Sequence, residues 1–323
     1  SDFSYAEIDK IGSYERKDGY IDWHIDEILK LDMVDVDAIK AKNLTVVVDA
    51  VNSSGGIAVP ALLRKLGVAN IIELYCEPTG HFPHNPEPLP ENLKDLSAAV
   101  VKNQANLGIT VDPDVDRLAF VNENGDMFGE EYTLVAVADY VLSKKKGNTV
   151  SNLSSTRALR DVTLKHGGSY SASAVGEVNV VKMMKETNAI IGGEGNGGVI
   201  LPELHYGRDA LVGIALFLTH LALSNKHMSH LKASYPGYII SKNKIELTPE
   251  IDVDLILENL KIKYAKQPIS TVDGVKIEFD SEWVHLRKSN TEPIIRIYAE
   301  GSTMSVADSL VNKIKSDIRE LLS

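Results

Sequence analysis

Cysteine is nearly absent: Cys76 is the only one among 323 residues. The chain can therefore form neither an intramolecular disulfide nor a cysteine-cluster metal site, and a reducing compartment fits that usage. Long apolar runs are also lacking. The longest, Ala210 to Leu223, is interrupted by Gly213, Thr219 and His220 and suits a buried helix better than a bilayer span. No basic-then-apolar leader opens the chain, which starts at Ser1 without a methionine. That start suggests processing or a cloning boundary, and a cytoplasmic, soluble protein is the expectation. Positive charge is in deficit, with 34 Lys+Arg against 45 Asp+Glu and a net charge of -11. Nucleic acid and anionic membrane are thereby disfavoured as partners, because a phosphate backbone requires a basic face. A small phosphate can still be held where a few cations converge. What is present is ordinary for a globular chain, at 44% hydrophobic and 24% charged residues. The length allows two domains or three small ones.

Strand-like and helix-like segments alternate from about residue 44 to residue 224, which argues for α/β layers around a largely parallel sheet. Leu44–Asp49, Ile71–Tyr75 and Gly108–Val111 read as strands, with helical spacing over Ile57–Leu66 and Leu93–Ala105. Leu118–Asn122 is a strand ending in the turn Glu123-Asn-Gly-Asp126. A second round of the same rhythm follows, without a residue-level repeat, and closes in an apolar helix over Arg208–Leu223. After Tyr235-Pro-Gly237 the pattern becomes strands between two helices, as in a small α+β domain. The expected divisions are 1–24 (a linker or remnant with little pattern), 25–125, 126–236 and 237–323.

Three loops carry chemistry. In the first, Asp112-Pro-Asp-Val-Asp-Arg117, the acids alternate. If the loop is extended, i, i+2 and i+4 face one side and three carboxylates converge. Two carboxylates about 5 Å apart repel by about 3 kcal/mol at an effective dielectric near 20. Three together need a cation or protons, and hard oxygen ligands favour Mg²⁺ or Ca²⁺. An EF-hand is excluded, since Arg117 stands where that loop needs glycine and both flanks read as strands. A solvated acidic turn is the plain alternative.

The second loop, Gly192-Gly-Glu-Gly-Asn-Gly-Gly198, contains a GxGxxG. The dinucleotide fingerprint requires a helix on its last glycine, whereas Val199-Ile-Leu-Pro202 follows here. What remains is a permissive loop presenting Glu194 and Asn196, suited to accept from and donate to vicinal sugar hydroxyls; a tight turn with incidental polar residues is the alternative. The third, Arg287-Lys-Ser-Asn-Thr-Glu-Pro293 with Arg296 nearby, gathers the cations and neutral donors that a phosphate dianion requires. Its alternative is a polar turn with surface charges.

Taken in this order, the three loops resemble those of the α-D-phosphohexomutase superfamily, the phosphoglucomutases, phosphomannomutases and phosphoglucosamine mutases. Gly80-His-Phe-Pro-His-Asn-Pro-Glu-Pro88 followed by Glu91-Asn-Leu93 adds to the resemblance. It implies two consecutive mixed-sheet α/β domains, the second and third of the family's four, then a smaller α+β fourth domain. It also implies that Asp112, Asp114 and Asp116 bind Mg²⁺ with Arg117 supporting. Glu194 and Asn196 would hold the sugar, and Arg287, Ser289, Asn290, Thr291 and Arg296 the substrate phosphate. Gly176-Glu177 would line the cleft.

Two departures stand out. The family's first domain carries a phosphorylated serine in a Thr-Ala-Ser-His-Asn-Pro type loop, and no such loop occurs here; Pro83 stands where Pro83-His-Asn-Pro86 would need the nucleophile. The expectation is therefore a fragment without its N-terminal domain, inactive alone, from an enzyme interconverting hexose 1- and 6-phosphates through a bisphosphate. A noncatalytic sugar-phosphate-binding module is the alternative, and a dinucleotide-dependent oxidoreductase a more distant one. Secondly, the family's sugar loop commonly ends in histidine, whereas this one ends in Gly198. The loop looks closest to phosphoglucosamine mutase-like members.

Overall fold

The computed structural model describes residues 3–246, 253–289 and 294–322. Helix α1 (Tyr20–Leu29) and the short α2 (Val36–Ala41) precede a first sheet. That sheet is built from β1 (Thr45–Asp49), α3 (Gly55–Lys65), β2 (Asn70–Leu74), α4 (Lys94–Lys102), β3 (Leu107–Val111) and β4 (Leu118–Asn122). Its order is β2-β1-β3-β4, parallel except for β4, which returns antiparallel on β3. β3 and β4 are buried at every position, so the turn between them, which carries the acidic loop, is clamped at both ends.

The second unit repeats the plan through α5 (Glu130–Lys144), β5 (Asn148–Asn152), α6 (Ala158–Lys165), β6 (Tyr170–Ser173), α7 (Glu177–Thr187), β7 (Ala189–Glu194) and β8 (Gly198–Ile200). Here too the order is second-first-third-fourth, β6-β5-β7-β8, with only the last strand antiparallel. The hairpin β7–β8 delivers the glycine-rich loop at the position the acidic loop occupies in the first unit. Helices α8 (Ala210–Ser224) and α9 (Met228–Ala233) follow. α8 is apolar on nearly every face because it is buried on nearly every face; Ile214, Leu216, Phe217 and Leu218 are fully inaccessible. Phe217 stacks on Phe120 of β4 with ring centroids 3.9 Å apart, while Phe128 meets both edge-on. One continuous core therefore runs from Ile25 to Tyr235 beneath both sheets.

The last unit has β9 (Ile239–Glu246), α10 (Val253–Lys263), β10 (Ile269–Ser270), β11 (Val275–Glu278), β12 (Trp283–Lys288), β13 (Ile294–Gly301) and α11 (Met304–Leu322). Its strands form a wholly antiparallel sheet, β10-β11-β12-β13-β9, over a separate core.

One expected boundary falls inside an element, and one short element was not anticipated. α1 begins at Tyr20 and buries Ile25 and Ile28, so the division at residue 25 cuts a helix. Its first turn, Tyr-Ile-Asp-Trp, leaves Tyr20, Ile21 and Trp23 exposed, so its apolar residues do not mark a single buried face there. α9, only six residues long, is too short for its periodicity to show.

Candidate functional site

The acidic residues meet, though by a different geometry from simple alternation. The segment is a turn: Val115 N donates to the Asp112 carbonyl, and Val115 lies in the left-handed region at φ 62°. Asp112 Oδ1 accepts from Asp116 N at 3.1 Å and Arg117 N at 3.0 Å, tying the loop across itself. The result brings one carboxylate oxygen each from Asp112, Asp114 and Asp116 within 4.8 Å of one another. Burial, opposed by the Arg117 backbone N–H and reinforced by Asp116 and Asp114, pushes the Asp112 carboxyl up to about 6. Asp116 Oδ1 is buried with no hydrogen-bond partner among the described residues. Convergent hard oxygens, one of them orphaned, fit Mg²⁺. Arg117 stands beside them, its Nε 3.4 Å from Asp112 Oδ2.

The glycine-rich loop lies directly against this turn. Leu118 N donates to Gly197 O at 3.1 Å, and Arg117 forms an isolated antiparallel bridge with Gly198. Gly197 is required there: its φ is 92°, and an added Cβ would lie 2.3 Å from the Leu118 carbonyl oxygen.

Glu194 is less free than the expected sugar acceptor. It is 4% exposed, and its Oε1 accepts from Asn152 Nδ2 at 2.8 Å and Gly176 N at 3.1 Å. Its Oε2 accepts from Arg208 Nη1 at 2.7 Å. A carboxylate has about four acceptor positions, so these three bonds leave one for a ligand. Asn196 turns its carbonyl oxygen to Gly198 N at 3.3 Å, which leaves its amide N–H groups to donate.

Arg208 was missed in the sequence, where it reads as the first residue of an apolar helix. Its guanidinium joins the two loops: Nη2 donates to Asp116 Oδ2 in a very short contact, Nη1 to Glu194, and Nε lies 3.6 Å from Glu177 Oε2. Burial works against its charge, and Asp116, Glu194 and Glu177 outweigh that, raising its pKa. The Arg208 stem also accounts for Gly198. An added Cβ at that position would sit 2.4 Å from Arg208 Cδ, so a side chain at 198 and Arg208 as placed exclude each other. Gly176 and Glu177 are thus held at the site through Glu194 and Arg208.

The third loop is partly visible. Asn290 and Thr291 lie outside the described residues. Arg287 and Arg296 face each other across β12 and β13. Lys244 pairs with Arg296 on the neighbouring strand, and Lys242 with Tyr298 two residues along. Residues i and i+2 share a face, so Arg287, Arg296, Lys242 and Lys244 form one cationic face. Only strand register exposes the two lysines as its members. Ser289 is buried, its backbone N–H bonded to Ile294 O at 3.0 Å.

A cavity of about 160 Å³ lies between the sugar loop and this face, lined by Glu131, Asn152, Ser154, Glu194, Asn196 and Arg287 among others. Ser154 hydrogen-bonds His285 Nδ1 at 3.0 Å; the other ring nitrogen faces the Asp273 carbonyl at 2.6 Å and so carries the proton. Ser154 is therefore the donor in that bond. Burial pushes the Glu131 carboxyl up to about 8.

A second cluster, His24, His205 and Asp209, also brings its donor atoms together. It is a structural latch: both histidines bond Asp209 Oδ2 through Nε2, while Gly207 N donates to His205 Nδ1. That donation leaves the proton on His205 Nε2, the atom a metal would need bare.

Family profiles described as phosphoglucomutase/phosphomannomutase alpha/beta/alpha domain II, alpha/beta/alpha domain III and C-terminal domain match residues 22–125, 129–238 and 246–317. A phosphoglucomutase/phosphomannomutase of Thermococcus kodakarensis is 38% identical over 94% of this chain and 66% of its own length. A phosphoglucosamine/phosphogalactosamine mutase of Sulfurisphaera tokodaii is 32% identical over 93% of this chain and 67% of its own. Among solved structures, a phosphoglucomutase/phosphomannomutase family protein from Burkholderia thailandensis superposes with a TM-score of 0.81 at 27% identity. That superposition covers 96% of this chain and 65% of the other. The chain spans about two thirds of the length of these relatives. It belongs to the phosphoglucomutase/phosphomannomutase family, of which it carries domains II, III and IV.

Proposed function

We propose that this chain provides the metal, sugar and phosphate loops of a phosphohexomutase that interconverts hexose 1-phosphate and 6-phosphate through a bisphosphate. The observation that carries the reading is the convergence of Asp116, Glu194 and Arg287 around one cleft, the first two joined by Arg208 and the last two lining the same cavity. Mg²⁺ bound by Asp112, Asp114 and Asp116 would neutralise charge on the phosphoryl group in transfer. Arg117 would add a cation beside it. Glu194 offers its remaining acceptor position to a sugar hydroxyl and Asn196 its amide donors, so either orientation of the hexose finds both kinds of partner. Arg287, Ser289 and Arg296, with Lys242 and Lys244, would grip the phosphate that is not reacting; Asn290 and Thr291 are assigned to that grip from the sequence. Holding the remote phosphate is where orientation is gained. The phosphoryl-donating serine would lie outside these 323 residues.

The test is binding and turnover together. Glucose 1,6-bisphosphate should bind the chain in a Mg²⁺-dependent manner by calorimetry, and Arg287→Ala should weaken it by roughly tenfold, the loss of one charge-assisted fork. A coupled assay on glucose 1-phosphate and glucosamine 6-phosphate, primed with bisphosphate, should show no turnover by the chain alone. Failure to bind the bisphosphate overturns the reading, and robust turnover overturns the assignment of the nucleophile elsewhere.

A further inference from the structure

We infer that Arg208 is a positioning residue that couples the metal loop to the sugar loop, competing with Mg²⁺ for Asp116 and passing its charge to Glu194 and the bound hexose phosphate when the ion arrives. The metal half of this inference stands on the acidic turn alone; the sugar half rests on the hexose phosphate reading above.

The argument begins with charge. Arg208 is the only cation that bonds carboxylates of both loops among the described residues: Asp116 on one side, Glu194 at 2.7 Å on the other. Its side chain is 13% exposed, so water screens these contacts poorly. The attachment to Asp116 uses Oδ2 only and leaves Oδ1 buried without a hydrogen-bond partner among the described residues, with Arg117 Nε 3.8 Å away. An ion at Oδ1 would therefore share one carboxylate with a guanidinium already bonded to its other oxygen. Two cations on one carboxylate repel, and the acid's charge is divided between them. Metal binding thus loosens Arg208 from Asp116, and the guanidinium's remaining anchors, Glu194 and Glu177, lie on the sugar side.

The backbone limits how far Arg208 can go. Its own N–H donates to Glu177 Oε1 at 3.0 Å, and the following residue, Asp209, caps α8 through Leu211 N and Val212 N. The Cα is fixed at the head of a buried helix, so only the side chain can respond. Its stem lies over Gly198, with the Asn196 side-chain oxygen as the next nearest side-chain atom to that space. A hexose phosphate entering beside Glu194 brings a further anion, draws the guanidinium the same way and frees Asp116. By linkage, each ligand then tightens the other by the same factor.

The test uses Mn²⁺ as a paramagnetic substitute, titrated into the 323-residue chain by electron paramagnetic resonance and displaced with Mg²⁺. Arg208→Met and Arg208→Gln should each bind Mn²⁺ about tenfold more tightly, a nearby unit charge having been removed. Arg208→Lys, which keeps the charge, should stay within about threefold of the parent. Circular dichroism identifies any variant that fails to fold, and the remaining neutral variant then decides. Saturating glucose 6-phosphate should tighten Mn²⁺ binding by at least about fivefold in the parent and clearly less in the neutral variants. Unchanged or weaker Mn²⁺ binding in a folded neutral variant overturns the metal half. An equal sugar-phosphate effect with and without Arg208 overturns the coupling. If no protein in the set binds glucose 6-phosphate, the hexose phosphate reading and the sugar half fall together, and the metal result still stands by itself.

Discussion

At the scale of single residues, the site is decided by how many partners each polar atom already has. Glu194 and Asn196 look alike in the sequence as polar residues among glycines, yet Glu194 is nearly saturated while Asn196 keeps its donors. Glycine identities follow from the same close packing. Replacing Gly198 with alanine should push Arg208 aside, since the new Cβ would come within 2.4 Å of its Cδ. Mn²⁺ binding should then tighten, as expected for Arg208→Met, and a binding isotherm identical to the parent's would show that the stem has room. Gly197→Ala should instead destabilise the chain by about 1–3 kcal/mol, because a left-handed backbone and a carbonyl contact are both violated. Urea denaturation measures that loss. The acidic turn, the glycine loop and Arg287 were legible because each concentrates one kind of chemistry in a few consecutive residues. Arg208, Lys242 and Lys244 were not, because each contributes a single charge from a segment whose pattern belongs to a helix or a strand.

At the scale of elements, the N-terminal helix α1 is fastened to the head of α8. Ile25 and Ile28 supply the apolar contact, and His24 Nε2 meets Asp209 Oδ2 at 2.7 Å. That hydrogen bond to Asp209, partly offset by burial, raises the His24 pKa above its ordinary 6.5. The sign follows directly: a group whose folded pKa is raised contributes its stability in full below about pH 6.5 and loses it as pH climbs through the folded value. Chemical denaturation of His24→Gln should therefore differ from the parent more at pH 6 than at pH 8.5. A gap that is constant or widens toward high pH would show that the latch carries no proton. β3 and β4 were readable as strands, but the parallel order that places β1 between β2 and β3, and β5 between β6 and β7, is a pairing of distant segments that local pattern does not contain.

At the scale of the whole molecule, the last unit is joined to the second by buried polar contacts. Glu300, fully inaccessible, accepts from the Arg157 backbone N–H at 3.1 Å and from Trp283 Nε1 at 2.6 Å. Arg157 reaches back to the carbonyls of Phe279, Asp280 and Glu282, and Lys276 Nζ donates to Leu153 O at 2.9 Å across the same seam. Glu300→Ala would leave the Arg157 backbone N–H and Trp283 Nε1 without their acceptor, and the buried Arg157 guanidinium, whose Nε lies 3.9 Å from Glu300 Oε1, without its carboxylate. It should cost about 3–5 kcal/mol, the range for removing one partner of a buried charged pair. Calorimetry should show one thermal transition for the parent and two for the variant as the C-terminal unit uncouples. A single transition with an unchanged midpoint would show that the seam is held by its apolar contacts instead.

The sequence by itself determined the alternation of strands and helices from β1 to α8, the three chemical loops and the family they resemble, because hydrophobic period and loop composition are local properties of the chain. It also determined that glycine rather than a larger residue ends the sugar loop. Tertiary structure alone decided why that is so, with Arg208 lying over Gly198 and joining Asp116 to Glu194. It alone placed Lys242 and Lys244 beside Arg287 and Arg296, and His24 against Asp209. Each of these is a meeting of residues far apart in the chain, and the energy of such a meeting depends on distance and burial, which exist only once the chain has folded.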